Sequence, residues 1–126
     1  MINIKSKGDF GNTIRFLKKA SNHSEITALF SKYGEQGVTA LQNATPVDSG
    51  KTARSWYYEI LDERGSVTLT FYNSNVNQNV NVAILIQYGH GTRNGAWING
   101  TDYINPALKP IFDAILQAIQ REVVNN

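Results

Sequence analysis

The chain has 126 residues, 41% of them hydrophobic and 17% charged, which is enough for one modest core and too little for two. Its net charge of +2 is too small to imply nucleic-acid binding, and the absence of cysteine excludes disulfides, thiolate zinc sites and a cysteine nucleophile. "MINIKSKGDFGN" lacks the apolar centre of a signal peptide and the longest apolar run, Val82 to Ile86, is far short of a membrane span, so residues 1–126 read as a single soluble, cytosolic domain.

At the N-terminus, Asp9 or Asn12 as a cap predicts a short helix through Lys19, with Phe10, Ile14 and Leu17 on one side. Lys5, Lys7, Arg15, Lys18 and Lys19 stand there against Asp9 alone, which makes them candidates to face DNA. The plainer reading is a solvated helix face.

Ser24, followed by Glu25, starts a longer helix in which Ile26, Phe30, Tyr33, Gly37 and Leu41 recur at helical spacing. Gly34 and Gly37 each weaken that helix by roughly 1 kcal/mol relative to alanine, so close packing or a bend is expected there. The helix must end before Pro46, because the residue preceding a proline is pushed out of the α region.

"SWYYEIL" and "SVTLTFY" alternate and are rich in aromatic and β-branched residues, which predicts a hairpin of Ser55–Leu61 with Ser66–Tyr72. Trp56, Tyr58 and Ile60 would share one face, as would Val67, Leu69 and Phe71. Residues 73–81 form an Asn-laden polar loop and 89–103 a Gly-rich one; both are expected to be flexible. Between them "VAILIQY" suits a strand or a short helix equally. From an Asn105 cap and Pro106 at the first position, the C-terminal helix places Ile111, Ile115, Ile119 and Val123 every four residues. The expected class is α+β: a hairpin-based antiparallel sheet packed against the long helix and the C-terminal helix.

Catalytic chemistry finds little footing. Ser49, His90 and Asp102 supply the residue types of a hydrolytic triad, but no G-x-S-x-G elbow is present. His23 and His90 lie far apart, and no pair of His, Asp or Glu has a recognisable metal-ligand spacing, so no metal or cofactor is expected. "GHGTRNG" lacks the Gly-Lys-Ser/Thr ending of a phosphate loop and does not run directly into a helix, although Thr92 and Arg93 have phosphate-binding side chains. The plain reading of His90 is a loop residue between glycines.

Three spans read together say more. "NATPVDSGKTARSW" runs from Asn43 to Trp56; about thirty residues later comes "VAILIQYGHGT", and then "YINPALKP" opens the last helix. This order resembles the small head–tail joining proteins of long-tailed bacteriophages, variously described as tail component, minor capsid, neck or tail-completion proteins. In that family an "A-x-P-x-D-[ST]-G-x-L-x-x-S" element follows a helix, "Y-A-x-[YI]-[VQ]-[EQ]-[YF]-G-T" comes next, and "P-[FA]-[LM]-x-P-A" begins the C-terminal helix. The matching positions are Ala44, Pro46, Asp48, Ser49, Gly50 and Ser55, then Ala83, Ile86, Gln87, Tyr88, Gly89, Thr92, Pro106, Ala107 and Leu108. Ala53 stands near a frequent leucine, His90-Gly91 intrude before Thr92, and Asn105 replaces part of the aromatic-proline lead. The specificity lies in order and spacing, over about residues 25–124.

The resemblance implies a structural subunit without catalysis, forming a homo-oligomeric ring that joins the capsid connector to the tail. A hexamer is expected, with a dodecamer as the alternative. The partners would be the phage head connector and the tail tube or tail terminator proteins, with a passing contact to DNA and none to membrane. The location would be the virion's head–tail junction, preceded by the host cytoplasm, and the source a virus or a prophage. Asp48-Ser49-Gly50 would form an Asx-type turn, and Gly50 and Gly89 would both take backbone angles that other residues resist. The loop from Gly89 to Tyr103 would meet a neighbouring subunit or partner through Arg93, Trp97 and Tyr103. Trp97 packing back on its own domain is the competing reading. A small hydrolase or nuclease using His90, or a DNA-binding module using the basic N-terminus, are the rivals from other classes.

Overall fold

The computed structural model describes residues 2–7, 11–17, 23–46, 50–63 and 66–124. The fold is α+β, as expected. A four-stranded antiparallel sheet runs in the order β1-β2-β4-β3, formed by β1 (Ile2–Lys7), β2 (Gly11–Leu17), β3 (Trp56–Glu63) and β4 (Ser66–Asn73). Two long helices, α1 (His23–Ala44) and α4 (Ile104–Val124), pack on each other, and α1 also lies across β3 and β4. Shorter elements complete the chain: α2 (Gly50–Ala53), β5 (Val76–Asn77), β6 (Val80–Asn81), α3 (Val82–Tyr88), β7 (Gly89–Gly91) and β8 (Trp97–Asn99).

The N-terminus departs from expectation. No helix runs from Asp9 or Asn12 to Lys19; Gly11–Leu17 is a strand, with β1 paired on one side and β4 on the other. Period-two alternation explains this. Ile14 falls opposite Ile4 and Leu69, and Phe16 opposite Ile2 and Val67, so pairing with the central strand outweighs a weak local helix signal. Lys5, Lys7 and Arg15 therefore belong to a hairpin, paired with Thr13, with Gly11, and with Asn3 and Thr68. Lys18 and Lys19 lie outside the described residues.

The long helix spans His23 to Ala44 and stops two residues short of Pro46, as proline sterics require. Ile26, Phe30 and Leu41 are buried along it. Gly34 and Gly37 are contact points. A Cβ on Gly34 would lie 2.7 Å from the Tyr58 ring, and one on Gly37 would strike the Phe71 ring, so both glycines bring the helix axis close to the sheet.

The β3–β4 hairpin has the predicted faces, with Tyr58 opposite Phe71 and Ile60 opposite Leu69. Val67, Leu69 and Phe71 are fully buried because β4 is central, with a neighbour on each side. On α4 the buried stripe is Ile104, Leu108, Phe112, Ile115 and Ile119. It is rotated slightly from the predicted row, and Ile111 is only half-buried.

Candidate functional site: the β7–β8 hairpin and its anchorage

The local sequence dictates where the hairpin begins. "VAILIQY" resolves as helix α3, with Ala83 and Gln87 buried on its inner side, four residues apart. Gly89 ends it with φ of +83°, a left-handed value, and its N–H donates to the Leu85 carbonyl. A Cβ there would also lie 2.5 Å from the Ile98 carbonyl oxygen. The expectation of a special backbone at Gly89 holds. Gly50 differs: it opens α2, and its φ is not positive.

From Gly89 the chain forms β7 and returns as β8, pairing Gly89 with Asn99, His90 with Ile98 and Gly91 with Trp97. The turn is closed by the Thr92 N–H on the Ala96 carbonyl at 2.8 Å and the Gly95 N–H on the Thr92 carbonyl at 3.1 Å. Gly95 takes φ of +80°, the left-handed third residue of an Arg93-Asn94-Gly95 loop. Thr92, a residue of the sequence motif, thus fixes the turn, and Arg93 sits exposed at its tip.

Gln87 anchors the base. Its side-chain oxygen accepts the backbone N–H groups of Tyr103 (3.0 Å) and Ile104 (2.9 Å), two donors that a helix start leaves without intrahelical partners. Its amide nitrogen donates to Asp102 Oδ1 at 2.7 Å, and that oxygen also accepts from Asn105 Nδ2 at 3.1 Å. The helix α4 therefore starts at Ile104, one residue before the expected Asn105 cap, with Gln87 as its capping acceptor. Pro106, third in the helix, sacrifices no intrahelical bond there.

Tyr103 is a correction. It is 5% exposed, its hydroxyl donates to the Ala83 carbonyl at 2.9 Å, and its ring meets Trp56 edge-on at 6.5 Å. An amphipathic ring with a carbonyl within reach is more stable inside than at a surface. Burial raises its phenol pKa well above the ordinary value. Trp56 in turn donates to Thr45 Oγ1 at 2.9 Å, and Thr45 Oγ1 donates to the Leu41 carbonyl at 2.6 Å. The hairpin base is thereby tied through Tyr103 and Trp56 to the end of α1.

The 73–81 stretch makes more internal hydrogen bonds than its polar sequence suggests. Asn73 and Asn75 are buried: Asn73 Nδ2 donates to the Thr52 carbonyl and Asn75 Nδ2 to Thr52 Oγ1, both at 2.8 Å. Asn81 Nδ2 donates to the Asn73 carbonyl at 3.0 Å. Gln78 and Asn79, with φ of 51° and 65°, make the two-residue turn between β5 and β6. Asparagine serves here because its short amide reaches backbone groups that apolar residues would leave unpaired.

Large apolar side chains also remain outside. Trp97 is 63% exposed, Tyr88 57% and Ile98 50%, all at or beside this hairpin. Residues 88–101 carry Arg93 and no carboxylate. His90 is half-buried, and its Nδ1 has no hydrogen-bond partner among the described residues. Asp102 is engaged by Gln87 and Asn105. Asp48 and Ser49, and with them the expected Asx-type turn, lie outside the described residues; Pro46, half-buried, follows α1. Sequence reading missed Gln87 as a cap and Ile98 as a surface residue. A lone amide closing an apolar run just before a glycine was the available signal for the first.

Among the described residues no cluster of three or more His, Asp or Glu is placed to hold a metal, and no helix is long and apolar enough to cross a membrane. Comparison with known protein families, curated proteins and solved structures finds no match to this chain.

Proposed function

We propose that the chain is a structural subunit of the phage head–tail junction, assembling as a ring between the capsid connector and the tail tube or terminator. The supporting observation is the link made by Gln87: it joins the "QYG" element to the start of the "NPAL" helix, two of the three elements on which the family resemblance rests. Between them projects a hairpin whose backbone is fixed by Gly89 and Thr92 and whose exposed side chains include Trp97, Ile98 and Arg93. A rigid aromatic anchor with an arginine at its edge has the composition of a protein-binding hot spot. The ring is a hexamer in this reading, with a dodecamer as the alternative, and His90 has no chemical role.

Negative-stain images of the purified chain, alone and mixed with tail tubes and connectors, test this. Rings that cap tube ends or connectors are the expected result. Particles that stay monomeric and decorate neither would overturn it.

A further inference from the structure

The sheet ends in two edge strands of opposite charge. β1 carries Lys5 and Lys7 and no carboxylate, whereas β3 carries Glu59, Asp62 and Glu63 and no lysine or arginine. Glu59 and Glu63 are exposed, and no further strand pairs with either edge among the described residues. An open edge is a template for another strand, and like charges along it oppose pairing with its own copy. β3 against β3 would bring carboxylates together, and β1 against β1 would do the same with lysines. β3 against β1 joins opposite charges.

The backbone fits the same pairing. The Ser74 N–H donates to the Ser55 carbonyl at 3.0 Å, in register with the β3–β4 ladder. Bonded and non-bonded pairs alternate in an antiparallel ladder, so Tyr57, Glu59 and Leu61 turn their backbone groups toward β4. Tyr58 and Ile60 turn theirs to the open side. Carried through β4 and β2, the same alternation gives β1 the open groups of Ile2, Ile4 and Ser6. Ile4, Ile14, Leu69 and Ile60 form one row across the sheet, so both edges offer open groups from the same apolar row and their pleats agree. Direction agrees as well. Four antiparallel strands leave β1 and β3 running oppositely, so rotation about an axis along the strands brings β3 antiparallel to the next copy's β1.

We propose that β3 of one copy pairs with β1 of the next, Ile60 opposite Ile4 and Glu59 opposite Lys5, so that the sheet continues from subunit to subunit. In this register all six residues of β1 find partners, from Lys7 opposite Tyr57 to Ile2 opposite Asp62. Main-chain hydrogen bonds supply the affinity, and the charges select the partner edge. The proposal rests on the ring reading above and names its subunit contact. Two different edges of one chain make a head-to-tail contact, the kind that closes into a ring when the rotation permits.

The absence of cysteine allows a direct test. Leu61, an exposed residue, would stand opposite Asn3 in a non-bonded pair, with Cα atoms about 4.5 Å apart and within disulfide range. Asn3→Cys and Leu61→Cys are prepared as separate chains, mixed and oxidised. The mixed dimer should exceed either self-linked dimer by about tenfold. Lys5→Glu in the first chain should lower its yield about tenfold, and Glu59→Lys in the second should restore it. Ser6→Pro removes an N–H that faces the open side, spares the β1–β2 bonds, and should lower the yield independently of charge. Circular dichroism confirms that each variant folds. Self-linked dimers alone, no mixed product, or a mixed product indifferent to both Lys5→Glu and Ser6→Pro would overturn the contact. Images of the same chains with tail tubes and connectors separate the two ideas. Cross-linking without binding to tube or connector sinks the head–tail reading and leaves the contact standing. Binding without the mixed cross-link does the reverse.

Discussion

The ring of Phe71 occupies the space that any side chain on Gly37 would need. One helical residue is thereby matched to one strand residue across the interface of α1 and β4. Gly37→Ala should gain helix propensity worth about 1 kcal/mol and lose more through overpacking, which costs roughly 1–3 kcal/mol. A net fall in melting temperature of a few degrees is expected. A rise would mean that the Phe71 ring can move aside.

Gln87→Ala should be costlier than a typical polar substitution. It removes the acceptor for two buried backbone donors, Tyr103 N–H and Ile104 N–H, at about 1–3 kcal/mol each if water does not replace it. Chemical denaturation measures the loss. A change below about 0.5 kcal/mol, the range of ordinary surface changes, would show that solvent reaches this helix start.

Tyr103 makes stability fall at alkaline pH. Burial raises its folded pKa above the ordinary value of about 10, so the neutral phenol is the form the fold accepts. Its contribution is intact below the unfolded pKa and is lost as pH rises through the folded one. Tyr103→Phe should cost about 1 kcal/mol at neutral pH through the lost bond to the Ala83 carbonyl, and should remove this part of the alkaline slope. An unchanged slope would assign the alkaline loss to other groups.

The two tryptophans should behave oppositely. Trp56→Ala empties a buried site and breaks the bond to Thr45, a loss of about 3–5 kcal/mol. Trp97→Ala, at a largely exposed site, should stay within about 0.5 kcal/mol in the isolated chain. Thermal melts compare them directly. A strongly destabilised Trp97 variant would mean that the residue supports its own hairpin.

His90→Ala should leave fold and assembly nearly intact, because its Nδ1 has no partner among the described residues to lose. Loss of a measured hydrolytic activity on this substitution would instead favour the enzyme reading.

Elements built on repeated periodicity were readable in the sequence. The helix from His23 to Ala44, the hairpin of β3 with β4 and the C-terminal helix each carry many apolar positions in register, and Pro46 marks a sharp stop. The strand at Gly11–Leu17 was missed, because its short alternation through Ile14 and Phe16 competes with a helix signal in the same residues, and β4, some fifty residues away in sequence, decides between them. The site divided along the same line. Gly89 announces its backbone locally, whereas the burial of Tyr103, Asn73 and Asn75 depends on carbonyls and hydroxyls that only the folded chain brings near. Polarity alone made those residues look like surface.

The strand order β1-β2-β4-β3 also sets the tempo of folding. Each outer pair is a local hairpin that closes within microseconds, but joining them requires β2 to find β4 across the whole of α1. We expect the rate-limiting step to be that seam. Substitutions at Ile60, in the local β3–β4 pair, should then slow folding, because the pair is already formed at the barrier. Substitutions at Ile14, on the β2 side of the seam, should divide their effect between slower folding and faster unfolding, because the seam is only partly formed at the barrier. Stopped-flow rates on both sets would show which half of the sheet waits for the other.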